Sequence, residues 1–338
     1  MSQESRIGEC LGDALHSLFG ARPRLLMLGE DIADPYGGAF GISRGLSTKF
    51  PDRVISTPIS ETAITGMAGG LALMGDEVIV EVMFGDFITL AFDPIVNFIS
   101  KSVTMYGRPL RMPVIIRCPS GGNRGYGPTH SQNLHKHFIG IPNLSLHELS
   151  PMHPVLPVLT RILEHGRPAV FFEDKVLYTQ RPCGRHEDDG LFEFSQLGGE
   201  SGWARARLAD EPPDWLLVAP GGIVRRALAA MRRAMLEHEI VSSLLTPSQL
   251  FPLDLGPVLP ALAAAGNILV LDDGPSGGGW PVLAADSIHR LLWNSLGAPV
   301  GVLQPGCAVV PAARHLEQRV LLQESTIYAA ITSGGTSD

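Results

Sequence analysis

The chain has 338 residues, 45% of them hydrophobic and 18% charged, with 38 glycines, 27 prolines and a formal net charge of -8 at pH 7. This composition describes a folded globular protein of two domains or one large one, and it excludes a disordered chain. The acidic balance argues against a nucleic-acid or anionic-membrane partner. Cys10, Cys118, Cys183 and Cys307 lie far apart with no CxxC pair, which argues against a zinc site and for a reducing, cytoplasmic compartment.

In chain order, Ile7, Leu11, Leu15 and Leu18 fall at helical spacing, so residues 7–19 are expected to be an amphipathic helix. Residues 24–29 read as a strand, with Glu30 at its carboxyl end in a loop of Asp, Pro and Gly over 31–38. Residues 41–45, GISRG, match a GxSxG nucleophile elbow, but a glycine loop and not a strand precedes them, so a serine hydrolase is disfavoured.

Residues 53–97 then run strand, helix, strand, helix, the alternation of a parallel sheet. A β-branched run over 54–59 ends in Ser60-Glu61. A helix with Gly66, Gly69 and Gly70 follows over 62–74, then a strand over 77–83 and a helix from about Asp86 to Met105. Glu61 has two readings. A first-turn glutamate is favoured by the helix dipole alone, yet ligand sites in open α/β sheets also lie outside the carboxyl ends of strands. Three glycines in one helix suggest a close approach by another helix or a ligand.

Residues 113–117 are a fully apolar strand that opens into CPSGGNRGYGPTHSQ, a glycine-rich loop ending near His130. Strands over 143–147 and 169–173 flank a helix over 154–163, completing a first doubly wound unit. Residues 174–199 show little periodicity and read as a surface linker. A second α/β unit begins near 200, with strands over 215–219, 240–245 and 268–271. Its helices are expected over 221–237, with a basic outer face of Arg225, Arg226, Arg232 and Arg233, over 258–265, and over 282–295. The glycine-rich 272–280 (DDGPSGGGW) lacks the P-loop lysine and GxGxxG spacing, and reads as a turn at a subunit interface. His130, His135 and His137 are close in sequence, but no acid or cysteine ligand accompanies them, so a metal site is disfavoured and His135 and His137 read as surface or interface residues.

Several segments together are familiar. TPISE (57–61), EVMFGDF (81–87) and AFDPIVN (91–97), with GEDIADPYGGAFGISRGL (29–46), THSQ (129–132) and LEQ (316–318), resemble the beta subunits of thiamine-diphosphate-dependent 2-oxoacid dehydrogenases. These are the pyruvate, branched-chain and acetoin enzymes, relatives of transketolase, and the resemblance spans residues 7 to about 330. It implies two doubly wound α/β domains, a pyrimidine-binding domain over 1–175 and a transketolase-C-like domain over 200–338, joined by a linker over 176–199.

The resemblance also implies roles. Glu61 would hydrogen-bond the pyrimidine ring nitrogen and favour its imino form, which a buried, neutral-leaning carboxyl does well. Phe87, with Met83 nearby, would be the apolar wall, although an aromatic on a helix is equally a core residue. Ile59 and Ser60 would flank the ring, and Glu30 lies near the same end of the cofactor. His130 would face the reacting carbon and assist acyl transfer. No site for the diphosphate or its magnesium is visible, so the chain reads as half of an active site. The other half is expected from an alpha subunit in an α2β2 enzyme that passes its acyl group to a lipoyl-bearing acyltransferase component or another carrier.

Three departures qualify this. His165 and Arg167 stand where the family carries an Asp and an Asn that bind potassium, and positive or neutral donors cannot replace them, so that ion is doubtful. Residues 307–312 replace the family's Asp-x-Pro-x-Pro-Tyr, and Pro128-Thr129 precedes His130 in place of the usual residues. The alternatives are therefore two-carbon ketol transfer to a carrier protein and a non-catalytic scaffold subunit.

Overall fold

The computed structural model describes residues 5–184, 190–199, 202–208, 210 and 212–333. Strands β1 (Leu25–Glu30), β2 (Val54–Thr57), β3 (Glu77–Glu81), β4 (Val114–Ser120), β5 (Ser145–Glu148) and β6 (Ala169–Asp174) alternate with helices. They are followed by β7 (Glu193–Leu197), β8 (Trp203–Arg207), β9 (Trp215–Val218), β10 (Ser242–Pro247), β11 (Gln249–Phe251), β12 (Asn267–Leu271) and β13 (Gly301–Leu303). The first sheet has the order β11-β5-β6-β4-β3-β1-β2, parallel throughout except for β11 against β5. The second has the order β13-β12-β9-β10-β8-β7, with β8 and β7 antiparallel.

A parallel strand covered on both faces needs apolar side chains in both directions. Leu25, Met27, Ile79, Ile115 and Phe171 point to one face, under the helices Ile7–Ala21 and Val155–His165. Leu28, Val78, Val80, Val114, Ile116 and Phe172 point to the other, where the helix Glu61–Leu73 packs. That second core runs on without a break into Leu216, Val218, Leu245, Val270 and Trp280, so the two sheets share it.

The structure corrects the expected organisation in four places. The segment read as a linker contains β7, which pairs with β8 as a hairpin at the edge of the second sheet. The chain also returns to the first sheet with β11 before finishing the second. The helix expected from Asp86 is three pieces: a 3₁₀ stretch Gly85–Ala91, a π-type stretch Pro94–Ile99 and a short α-turn Ser100–Ser102. Pro94 has no N–H to donate to the preceding turn, which breaks a continuous α-pattern there. Arg226 is not on an outer basic face: it turns inward to an ion pair with Asp273 and to the Leu322 carbonyl.

The helix glycines divide by role. A Cβ on Gly69 would lie 2.5 Å from the Phe98 ring, so glycine lets that segment close onto the helix, whereas Gly66 and Gly70 meet nothing within 4 Å.

Candidate active site at the carboxyl edge of the first sheet

β1 and β2 pair in register with Glu30 opposite Thr57. Beyond Thr57 the chain turns through Pro58, Ile59 and Ser60, and the helix starts at Glu61. The Ser60 amide donates to the Glu30 carboxylate at 3.2 Å. Both carboxylates are buried, Glu30 at 4% exposure and Glu61 at 5%. Glu30 is held above the usual carboxylate value, by burial first and then by the charge of Glu61, while the Ser60 N–H pulls the other way. Glu61 lies in the first turn of this helix. Next to these, Ile59 is 78% exposed, an uncovered apolar side chain at the mouth of the site.

The Thr62 hydroxyl donates to the Leu90 carbonyl, which ties the start of this helix to the segment carrying Phe87. Met83 and Phe87 are half-buried, and Phe87 packs against the shared core. Phe87 also reaches His130: its ring centre lies 5.3 Å from that of His130 in an edge-on contact. Phe84, unremarked within EVMFGDF, approaches His130 more closely, at 4.6 Å, and also touches Phe87, Phe40 and Tyr126 edge-on. Its position three residues before Phe87 was the available signal. Lys175 lies 5.8 Å from the Phe84 ring centre, with its ammonium lowered to about 8 by burial against the attraction of Asp174 and Asp86.

His130 sits on the 121–132 loop, with its Nδ1 at 2.9 Å from the Thr129 hydroxyl. Asp86 accepts from the Gln132 amide at 3.3 Å and from its side chain at 2.8 Å. Under the loop, Arg117 makes a two-pronged ion pair with Glu173 at 2.7 and 2.8 Å and a third bond to Glu81 at 2.6 Å, all fully or almost fully buried. The loop after β1 closes on this network at Gly38, whose φ of +79° and contact with Glu81 leave no room for a side chain.

The other sequence candidates fall elsewhere. Ser43 is fully buried and donates to the Ile32 carbonyl at 2.9 Å, which is incompatible with a nucleophile elbow. His135 is not a surface residue: it is buried, with Nε2 3.1 Å from Asp272, a partner 137 positions away. Nearby Glu148 is pushed up to about 8 by burial, against the opposing charge of His135. The 272–279 loop therefore begins inside the chain's own core. Among the described residues no group of three or more His, Cys, Asp or Glu could hold a metal ion. His165 and Arg167 are exposed and line a cavity of ≈ 540 Å³ with Asn143, Arg161 and Gln249.

Two buried carboxylates beside an open apolar edge fit one end of an aminopyrimidine. One acid can meet a ring nitrogen, and the exposed apolar side chain of Ile59 lies beside it in the chain.

Residues 4–180 match the family described as the transketolase pyrimidine binding domain. The chain is 30% identical over 268 residues to a pyruvate dehydrogenase E1 component subunit beta from Leifsonia xyli subsp. xyli, covering 79% of this chain and 76% of that one. It is 28% identical to the acetoin:2,6-dichlorophenolindophenol oxidoreductase subunit beta of Cupriavidus necator, covering 98% and 97%. It is 29% identical to the 3-methyl-2-oxobutanoate dehydrogenase subunit beta of Mycobacterium tuberculosis, covering 89% and 83%. Among solved structures, a split gene transketolase described as an inactive beta4 tetramer matches with a TM-score of 0.74 and 18% identity over 98% of both chains, a likeness of fold.

Proposed function

The chain belongs to the transketolase-like family of thiamine-diphosphate-dependent 2-oxoacid dehydrogenase beta subunits, and from that premise we propose how its own residues serve the reaction. The observation that carries the reading is the Glu30–Ser60–Glu61 corner, where two buried carboxylates share one strand edge. Glu61 holds a proton at the pyrimidine ring nitrogen, and Glu30 fixes the Ser60 backbone that starts its helix. Thiamine diphosphate, when bound, supplies the nucleophilic carbon and the electron sink that decarboxylation of a 2-oxoacid requires. Ile59, Met83 and Phe87 exclude water from the ring, and Phe84 and Phe87 orient His130. His130 moves a proton as the acyl group leaves for a lipoyl-bearing acyltransferase component or another carrier.

The alpha subunit of the same enzyme completes the site in an α2β2 assembly and holds magnesium with the diphosphate. The exposed Ile59, Met67, Met74 and Leu90 around the Glu61–Leu73 helix are the surface such a partner would cover.

The test is co-expression with the alpha subunit of the same organism, followed by a panel of 2-oxoacids with an artificial electron acceptor. Activity with one 2-oxoacid, reduced roughly 10²–10⁴-fold in Glu61→Gln, is expected from a lost proton-transfer group. Full activity in Glu61→Gln would sink the reading. Turnover of ketose phosphates without carbon dioxide release, in place of any 2-oxoacid, would favour ketol transfer; the Thr129 hydroxyl on His130 Nδ1, where the family usually has another residue, is the feature that keeps that second reading in view.

A further inference from the structure

The 121–132 loop has four glycines over 121–127 and no regular secondary structure, yet it carries His130, whose ring must be placed to within a fraction of an ångström for proton transfer. Its glycine half is held from the second unit. Glu317, on the helix Arg314–Val320, is fully buried. One carboxylate oxygen accepts the Asn123 amide at 2.9 Å, and the other accepts the Gly125 amide at 2.9 Å. The Gln323 side chain donates to the Asn123 side-chain oxygen at 3.2 Å. A Cβ on Gly122 would lie 2.4 Å from Leu321 and 3.1 Å from the Glu317 carboxylate, so the helix is seated directly on the loop. Opposite, the Arg124 guanidinium donates to the Lys175 carbonyl at 2.7 Å, and Gly121 donates to the Gln132 carbonyl at 3.2 Å.

We propose that Glu317 is a positioning residue for acyl transfer, holding the His130 loop through a two-pronged grip on the Asn123 and Gly125 amides. The proposal rests on the transfer role given to His130 above. A carboxylate buried from water and paired with two backbone donors is strong and directional. It fixes two points of a chain that its glycines would otherwise leave free. It also gives the second unit a part in the chemistry.

The experiment uses the assembled enzyme with the 2-oxoacid found in the panel. It compares oxidation by an artificial acceptor with acyl transfer to free lipoamide. Glu317→Ala is expected to slow transfer by about 10²-fold, the scale of a 1 Å misplacement, while leaving artificial-acceptor turnover close to native. Glu317→Gln keeps one acceptor and the side-chain shape, and is expected to fall between the two; it also serves if the alanine variant folds poorly. Hydrogen exchange over residues 122–126 should rise by about tenfold or more in both variants, with the sheets unchanged. In His130→Ala, adding Glu317→Ala should slow transfer no further, because the two act as one unit. Unchanged exchange in the loop, or an independent further loss in the double variant, overturns the proposal. If His130→Ala is slow while Glu317→Ala is native, only the anchoring by Glu317 falls. If His130→Ala itself transfers at the native rate, the role of His130 falls and takes the proposal with it.

Discussion

The imidazole of His130 stands edge-on to the Phe84 ring, 4.6 Å between centres and at an interplanar angle of 81°. Phe84 is in turn braced by Phe40 at 5.5 Å and by Phe87 at 6.4 Å, so the histidine rests against a set of rings that meet edge to face. Phe84→Leu preserves apolar bulk and removes the flat edge. Aromatic pairs contribute about 0.5–1.5 kcal/mol beyond burial, so the variant is expected to fold with a small stability loss and to transfer acyl groups several-fold more slowly. Single-turnover transfer rates check this. A native rate would mean that the stack is packing alone.

Arg117 is the buried centre of a second relationship, and removing it has a signed pH signature. Arg117→Met leaves Glu81 and Glu173 facing each other in a dry interior without their cation. Breaking a buried pair from one side costs about 3–5 kcal/mol. Burial already raises the Glu81 pKa, the Arg117 charge being what opposes it. Without that charge Glu81 must take up a proton in the folded state, so the deficit is expected to shrink as pH falls from 8 to 5. Urea midpoints for native and variant at both pH values decide the matter; a deficit independent of pH would contradict the uncompensated-charge account.

The alternation of apolar runs made β1, β3, β4, β6, β9 and β12 readable, because a buried parallel strand must be apolar in both directions. The hairpin of β7 and β8 was not readable for the same reason: its edge strand β7 is largely exposed, the two strands carry Glu193, Gln196, Arg205 and Arg207, and so lack that run. Glu61 and His130 stood at legible positions, one at a strand's end and one in a glycine loop. Their supports did not. Glu317 grips amides 194 and 192 positions away, and Asp272 finds His135 across 137. Nothing local distinguishes a carboxylate with such a partner from one in water, so His135 read as a surface or interface residue. The π-type turn after Pro94 was hidden by the helical spacing around it.

His135, Asp272 and Glu148 together predict how stability varies across neutral pH. The His135 pKa is raised despite desolvation, mainly by the Asp272 charge, so its stabilisation is fully present below the unfolded value of about 6.5 and fades as pH rises through the folded one. Glu148, buried and raised to about 8 from 4.5, binds a proton in the folded state that the unfolded chain has lost, so it too makes stability fall as pH climbs from about 4.5 to 8. The two add in the same direction. The denaturation midpoint is expected to decline from pH 6 to pH 8, and Glu148→Gln, which stays neutral, should flatten part of that decline. If the native and Glu148→Gln curves run parallel through this window, Glu148 is ionised in the folded protein and the assignment is wrong.

The helix Glu61–Leu73 offers a last, comparative prediction, because its glycines do different things. Gly69→Ala would drive a methyl to 2.5 Å from the Phe98 ring and 3.1 Å from Ile99, an overpacked contact expected to cost about 1–3 kcal/mol in the isolated chain. Gly66→Ala and Gly70→Ala meet nothing within 4 Å, and each should gain about 0.8–1 kcal/mol of helix propensity there. Their effect in the assembly should have the opposite sign. The face they share with the exposed Met67 and Met74 is where an alpha subunit would seat its own backbone closely, and an added methyl on each side would hold the partner off. Thermal unfolding of the isolated chain and sedimentation of the co-expressed complex separate the two effects. A variant at Gly66 and Gly70 that is both more stable alone and as tightly assembled as the native chain would show that the partner does not approach this face.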